Sequence, residues 1–249
     1  MYGLVLRLRA IFGATMFLSG ILYCSLSHAL VISQIYGGGG NSGSVYTNDF
    51  IEIFNNSSTI ADLSGMSVQY ASATSTNWKV TPLGGTLDPF HYYLVQEKAG
   101  RGSAADLPTP DAFGTVGLST ANGKIALVKD TAALTITVPC ESSLLLDLVG
   151  YGTADCYEGA AGPSPSNFTA LTRDMAGLQD TNSNLFDFSL LAPNPHNMLS
   201  AANIPIGAAP AAATNSVSEP ASWWLLAGGL VVLRWRLMRR RCRSAYTAA

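Results

Sequence analysis

Residues 48–70 read NDFIEIFNNSSTIADLSGMSVQY, and this stretch decides the fold class. Residues 50–54 form a short β-rich apolar run that one acid, Glu52, interrupts. Residues 55–58 favour a turn, because Asn and Ser side chains can bond to their own backbone. Residues 66–70 alternate between apolar and polar, which is typical of a half-buried strand. The stretch therefore predicts a strand, a turn region and a second strand.

The same signals recur on both sides of this stretch. Short apolar or alternating runs are separated by Gly, Pro, Asn and Asp, and no stretch shows sustained helical periodicity. Many short strands with turn signals between them predict an all-β protein of the β-sandwich type. Further strands or extended segments are predicted at residues 30–36, 78–80, 91–96, 124–129, 144–149, 167–173 and 185–191.

A glycine run follows the first predicted strand, at residues 37–40 and again at Gly43. Such a run invites comparison with a phosphate-binding loop. The comparison fails, because there is no Gly-Lys-Ser/Thr, no helical pattern after the run and no Gly-x-Gly-x-x-Gly followed by an acid. A flexible loop between strands is the prediction here, and residues 99–117 predict a long surface loop.

The charge of the protein is unevenly distributed. The formal net charge is −2, with 14 basic and 16 acidic residues. Eight of the basic residues lie in the two ends of the chain, so the region between them carries 15 acidic against six basic residues. An acidic body repels phosphate backbones, which disfavours nucleic acid as a partner.

The chain holds four cysteines, two of which lie in its ends. The other two, Cys140 and Cys156, predict a single disulfide if the protein is exported. A metal site is the alternative, and it is disfavoured because two thiols at this spacing lack nearby histidine partners.

The first 29 residues have the pattern of a signal peptide. Arg7 and Arg9 precede an apolar run at residues 10–26, and Ser27-His28-Ala29 supplies small residues where signal peptidase reads them. We expect cleavage after Ala29, the alternative being an uncleaved anchor helix.

The C-terminal end has a different pattern. Ser218, Glu219 and Pro220 precede a short apolar helix that begins at Trp223, and an arginine cluster follows, with the whole signal spanning residues 219–243. The order resembles the PEP-CTERM sorting signal of Gram-negative bacteria, although Ser218 stands where that signal has its first proline. The resemblance implies transient insertion in the inner membrane and removal of the tail by an exosortase. A plain C-terminal anchor is the alternative. Residues 201–218, rich in Ala and Pro and without charge, predict a spacer.

The order of motifs in the body resembles the bacterial lamin-tail domain over most of residues 31–197. This resemblance implies an immunoglobulin-like β-sandwich, placed here at residues 30–200, and a family without shared catalytic residues. Met66 departs from the family, which often has Trp after Leu-Ser-Gly. The motifs that carry the resemblance lie at residues 31–54, 62–65, 92–97, 124–128, 149–152 and 192–195.

Few residues of the body have a pattern that suggests chemistry. The two histidines, His91 and His196, belong to no Gly-x-Ser-x-Gly or His-Glu-x-x-His motif. Asp49 and Glu52 are three residues apart on a strand and should face opposite sides, which is poor geometry for acid–base work. One run of alternating oxygen donors suits a hard cation such as Ca²⁺, with an Asx-rich turn as the alternative. Its candidate ligands are Asp180, Asn182, Asn184 and Asp187.

The sequence therefore predicts an exported, non-enzymatic module at the cell surface or in extracellular matrix. Its expected partners are signal peptidase, an exosortase-type enzyme and a polysaccharide or protein ligand, and it needs no cofactor unless the Ca²⁺ site is real. The alternative is an accessory or catalytic protein of a metal-dependent nuclease or phosphatase system, because lamin-tail domains also occur fused to such enzymes.

Overall fold

The computed structural model describes residues 30–138 and 140–206, and within them β-strands dominate. A 3-10 turn, Asp174–Gly177, and one short helix, α1 at Asn184–Asp187, interrupt them near the end. The twelve strands are β1 Leu30–Tyr36, β2 Asn48–Asn55, β3 Ala61–Asp62, β4 Ser67–Ala71, β5 Lys79–Pro82, β6 Thr86–Leu87, β7 Tyr92–Ala99, β8 Ala112–Phe113, β9 Gly123–Val128, β10 Leu145–Tyr151, β11 Ala170–Arg173 and β12 Phe188–Leu191.

The strands form two main sheets. Sheet 1 has the order β12-β11-β1-β2-β7-β8, and sheet 2 the order β10-β9-β4-β5, while β3 and β6 form a small separate ribbon. All pairings are antiparallel except that of β7 with β8. The all-β architecture predicted from the sequence is confirmed.

The main core lies between the inner faces of the two sheets. Along β2, Ile51 and Ile53 point into this core, and Val68 and Tyr70 of β4 reach it from the other sheet. Alternate residues of a strand face opposite sides, so one face of each strand supplies the core. The period-2 pattern of residues 66–70 predicted this arrangement.

The outer face of sheet 1 is also buried. Phe50, Glu52 and Phe54 of β2 point away from the main core, yet each is at most 2% exposed. The chain after β12 crosses this face, and we call residues 192–203 the strap. A strand buried on both faces reads as a nearly continuous apolar run, which explains the sequence of β2.

The outer face of sheet 2 is covered as well, which corrects the prediction of a half-buried strand at residues 66–70. Ser67 and Gln69, the polar residues of β4, are fully buried. Gln69 donates to the carbonyl of Ala132 (2.8 Å) and accepts from the N–H of Leu134 (2.9 Å). The loop after β9 is therefore held over β4 by polar side chains. The alternation of apolar and polar residues, taken by itself, predicts that these side chains face solvent.

Two other expectations need correction. The glycine loop at residues 37–40 is buried, and Gly40 (φ +60°) lies so close to Gly100 that a Cβ would stand 2.4 Å from its Cα. Close backbone packing, and not flexibility, accounts for that glycine. The segment predicted as extended from residue 185 begins with α1, because the Asp187 carboxylate accepts from the N–H groups of Thr181 and Ser183.

Within the described residues, no helix has the length and apolar character needed to cross a bilayer. The predicted signal peptide and the predicted sorting helix both lie outside those residues.

Candidate functional site

The strap is held on sheet 1 by Glu52, the one acid in the apolar run of β2. Glu52 is 2% exposed, and its Oε2 accepts from the backbone N–H of His196 (2.6 Å) and lies 3.1 Å from the Nδ1 of that residue. Its Oε1 accepts from the Ser33 hydroxyl (2.6 Å). A buried carboxylate needs such partners, because burying an unpaired charge is costly. Glu52 therefore ties β1, β2 and the strap together.

Two more contacts hold the strap along the sheet. The Gln34 side chain donates to the carbonyl of Asn194 (3.1 Å) and accepts from its N–H (2.9 Å). The His196 ring stacks on Tyr92, with centroids 4.7 Å apart and an angle of 28° between planes. Further on, the N–H of Asn203 donates to the carbonyl of Phe90 (2.8 Å).

Ser33, Glu52 and His196 are the residue types of a hydrolytic triad, but their order is wrong for that chemistry. A triad needs the imidazole between the hydroxyl and the carboxylate, so that it can take the proton of the nucleophile. Here the carboxylate lies in the middle and accepts from both neighbours. The His196 imidazole contacts Glu52 and Asn194 and not the Ser33 hydroxyl, so the three residues hold a backbone segment in place and do not have the order of a Ser-His-acid triad.

A cavity of about 250 Å³ lies beside this contact, between the strap, β11 and the 3-10 turn. Glu52, His196 and Tyr92 form one wall, and Met175, Leu191 and Ala192 contribute apolar surface. The hydroxyl of Tyr92 donates to the carbonyl of Ala176 (2.9 Å), which fastens the turn to the sheet. Burial raises the pKa of Tyr92 to about 12, so the phenol is neutral at physiological pH.

Two of the candidate Ca²⁺ ligands, Asp180 and Asp187, lie beside an internal cation instead. The guanidinium of Arg173, which is fully buried, donates to Oδ2 of Asp147 (2.8 Å) and lies 3.5 Å from Asp180 and 3.6 Å from Asp187. It also stacks on Phe188, with Cζ 4.5 Å from the ring centroid.

The two asparagines of the candidate set are placed differently. The Asn184 side chain accepts from the N–H groups of Gly150 (2.9 Å) and Glu158 (3.1 Å), and the N–H of Asn182 donates to Asp180 (3.5 Å). Among the described residues, no group of three or more His, Cys, Asp or Glu is arranged to hold a metal ion. Cation binding stays a prediction, and the geometry favours the Asx-rich turn.

Cys140 and Cys156 form a disulfide, as predicted, with their Cα atoms 5.7 Å apart. It joins the loop after β9 to the loop after β10. Beside it lies Lys124, 1% exposed, whose ammonium contacts a carboxylate oxygen of Asp155 and lies 3.5 Å from the Sγ of Cys156.

Two further buried carboxylates have raised pKa values without forming a reactive pair. Burial raises the pKa of Asp49 to about 6 and that of Glu97 to about 7. Asp49 accepts from the N–H groups of Gly39 and Leu118 (both 2.9 Å). Glu97 accepts from the N–H of Val116 (2.8 Å) and the hydroxyl of Thr81 (2.5 Å). Both carboxylates hold loops against β2 and β7.

The contact between Glu52 and His196 predicts a pH dependence of stability. The hydrogen bond that the His196 ring donates to Glu52 raises the pKa of His196, and partial burial opposes this. A group with a raised folded pKa stabilises the protein fully below its unfolded value, about 6.5 for His, and loses that effect as pH rises through the folded value. Replacing His196 with Gln should therefore lower stability more at pH 5.5 than at pH 8.5, by under about 1 kcal/mol because the side chain is partly exposed.

Urea unfolding of both proteins at the two pH values measures this difference. His91→Gln is the matched control, because the Nδ1 of His91 lies 2.9 Å from a carbonyl oxygen, that of Pro89, and not beside a carboxylate. A cost of His196→Gln that stays flat or grows with pH would contradict the assignment.

The sequence did not reveal the partners of Glu52, His196 and Arg173. Glu52 and His196 are 144 positions apart, and the spacing of Asp180 and Asp187 suits a metal ion as well as it suits Arg173. One feature of the sequence indicates that Glu52 and Arg173 need partners: each is a charged residue within an apolar strand or at the end of one. Such a charge is rarely buried unless it is paired.

The family described as Lamin Tail Domain matches residues 25–153, which is more than half of the sequence. Among solved structures, the crystal structure of a DUF4876 family protein from Bacteroides thetaiotaomicron VPI-5482 is similar, with a TM-score of 0.49 and 16% sequence identity. The likeness covers 71% of this chain and 76% of that chain. The comparison with curated proteins gives no match.

Proposed function

Since this chain belongs to the lamin tail domain family, we propose that it is an exported, non-enzymatic β-sandwich module that binds a polysaccharide or protein ligand at the cell surface or in extracellular matrix. The observation that carries the non-enzymatic part is the order of Ser33, Glu52 and His196. These side chains, which in another order could form a hydrolytic triad, fasten the strap.

The disulfide supports export. Disulfides persist in oxidising compartments outside the cytosol and are rare where thiols are kept reduced. The acidic body also fits an exported protein, because 15 acidic against six basic residues between the two ends give a net charge that favours solubility. Ser218, Glu219 and Pro220 would then mark the point where an exosortase removes the tail, after a transient stage in the inner membrane.

The cavity beside the strap supports a binding role. It is open enough for part of a ligand, and its polar lining groups Glu52, Gln34 and Tyr92 are already hydrogen-bonded within the protein. A ligand would therefore gain mainly by covering the apolar surface of Met175 and Leu191, which are 67% and 51% exposed.

Binding can be tested with the exported protein and the polysaccharide and protein fractions of the cells that make it. Leu191→Lys places a charge at the cavity and should reduce retention on the fraction that binds. Ile60→Lys, at a residue that is 63% exposed and does not line the cavity, is the matched control. Equal retention of both variants would remove the cavity from the proposal. Metal-dependent hydrolysis of a phosphodiester or phosphomonoester by the purified protein would instead favour the nuclease or phosphatase alternative.

Processing of the tail gives a separate prediction. Replacing Glu219 and Pro220 with Ala should trap the full-length protein in the inner membrane, whereas wild-type protein should begin near Leu30, end near Glu219 and lie outside that membrane. Mass spectrometry of the surface fraction, together with a tag placed after Ala249, measures both ends. If wild-type protein at the surface keeps the tag, the tail is an ordinary anchor.

A further inference from the structure

The two sulfurs of the disulfide lie in unlike surroundings. Cys156 is next to the buried ammonium of Lys124, at 3.5 Å, and this ammonium also lies 5.6 Å from the centroid of the Trp78 ring. The ion pair with Asp155 offsets part of its charge. Even so, a cation within hydrogen-bond reach of one sulfur stabilises negative charge on that sulfur.

Cys140 faces a different environment. It lines a cleft of about 370 Å³ together with three acidic residues, Glu141, Asp147 and Glu158, and Cys156 is not among the described residues that line it. A molecule that enters the cleft therefore lies against Cys140 and not against Cys156. The cation lies on the far side of the bond, beside Cys156.

This asymmetry has a direct chemical consequence. A thiolate attacks one sulfur of a disulfide, and the other sulfur departs as a thiolate, faster when the pKa of the departing thiol is low. We propose that Cys140 is a thiol-exchange site. A thiol whose other groups are uncharged or cationic forms a mixed disulfide there and expels Cys156.

The step balances without a further reactant. The attacking thiolate forms a bond to the Sγ of Cys140, the bond between Cys140 and Cys156 breaks, and its electron pair remains on the Sγ of Cys156 beside Lys124. The choice of thiol follows from the charge of the cleft. Glu141 is exposed, and it repels an anionic thiol. Glu158 contributes less charge near neutral pH, because its pKa is raised to about 8, mainly by burial and to a smaller extent by the nearby Asp147.

Attack on the buried sulfur requires local opening of the loop that holds Cys140. Cys140 is 2% exposed, but its backbone is in the left-handed region (φ +62°), which is unfavourable for a residue with a Cβ, and the nearby Val138 is 61% exposed. The loop has anchors that do not depend on the disulfide. Gln69 holds Ala132 and Leu134, and Ser67 holds the carbonyl of Asp130 (2.5 Å). Exchange at Cys140 therefore leaves the sandwich folded.

The test exposes the exported protein to cysteamine, 2-mercaptoethanol and 3-mercaptopropionate at equal thiolate concentration, then blocks free thiols with iodoacetamide. Peptide mass spectrometry should find the mixed disulfide on Cys140 and the blocked thiol on Cys156. After each rate is divided by the rate of the same thiolate with an uncharged small-molecule disulfide, cysteamine should be fastest and 3-mercaptopropionate slowest. Glu141→Gln should narrow the spread of the three rates. The proposal is overturned if the adduct lies on Cys156, if it is divided equally, or if exchange is no faster than global unfolding.

A charge-matched pair of variants isolates the role of Lys124. Lys124→Met should slow exchange about 3- to 10-fold, while Lys129→Met, which removes an exposed cation just after the same strand, should leave the rate unchanged. Should Lys124→Met fail to fold, thiol titration of Cys140→Ser and Cys156→Ser decides the question. The thiol of Cys156 should have a pKa below about 8.5, and that of Cys140 should not. A pKa of Cys156 equal to or above that of Cys140 would overturn the proposal.

Discussion

Replacing Arg173 with Met should lower the free energy of unfolding by about 3–5 kcal/mol, the usual cost of removing one partner from a buried charge cluster. Arg173 is fully buried, and its Nε also donates to the carbonyl of Ile32 (2.8 Å). Its removal leaves Asp147 and Asp187, both at most 2% exposed, without the cation that faces them. Two buried carboxylates would then lack the cation that compensates their charge and their desolvation.

The pH dependence of this variant provides a second measure. Burial already raises the pKa of Asp147, and the Arg173 guanidinium opposes that effect. Without Arg173 the pKa of Asp147 rises further, so protonation at low pH relieves the unpaired charge. The cost of Arg173→Met should consequently be larger at pH 8 than at pH 5.

Urea unfolding measures both effects. Arg101→Met removes an exposed arginine and should change stability by no more than about 0.5 kcal/mol. In the double variant Arg173→Met/Asp147→Asn, part of the lost free energy of unfolding should be recovered, because one of the two unpaired carboxylates is gone. A cost below about 1 kcal/mol for Arg173→Met would show that Arg173 does not hold this cluster together.

The second large effect concerns the disulfide. Replacing Cys140 and Cys156 together with Ala should cost about 3 kcal/mol, because the bond closes a loop with a sequence separation of 16 residues and so restricts the unfolded chain. The loss should appear as a lower melting temperature of a protein that still folds, since Gln69 and Ser67 continue to hold the loop after β9.

Reduced wild-type protein is the control, and its melting temperature should match that of the double variant. Mass spectrometry without reductant should find Cys140 and Cys156 in one linked pair of peptides. Finding both thiols free in correctly exported protein would rule out the bridge and the stabilisation together.

The sequence by itself determined the all-β class, most strand positions and the disulfide pair. Short stretches of sequence determine most of these properties. β2 and β9 are runs of residues that favour strands, and Gly, Pro, Asn and Asp favour the turns between strands. The single pair of cysteines in the body left one possible partner for each.

The tertiary structure alone decided which polar side chains are buried. Residues 66–70 alternate, but alternation shows only that two faces differ, and the loop that covers Gln69 comes from more than 60 positions away. The same holds for Glu52, whose partner His196 arrives through the strap. The acids read as metal ligands face Arg173 because the return of the chain through α1 brings them to it. A pattern shows which residues need a partner, and only the packing of distant segments supplies one.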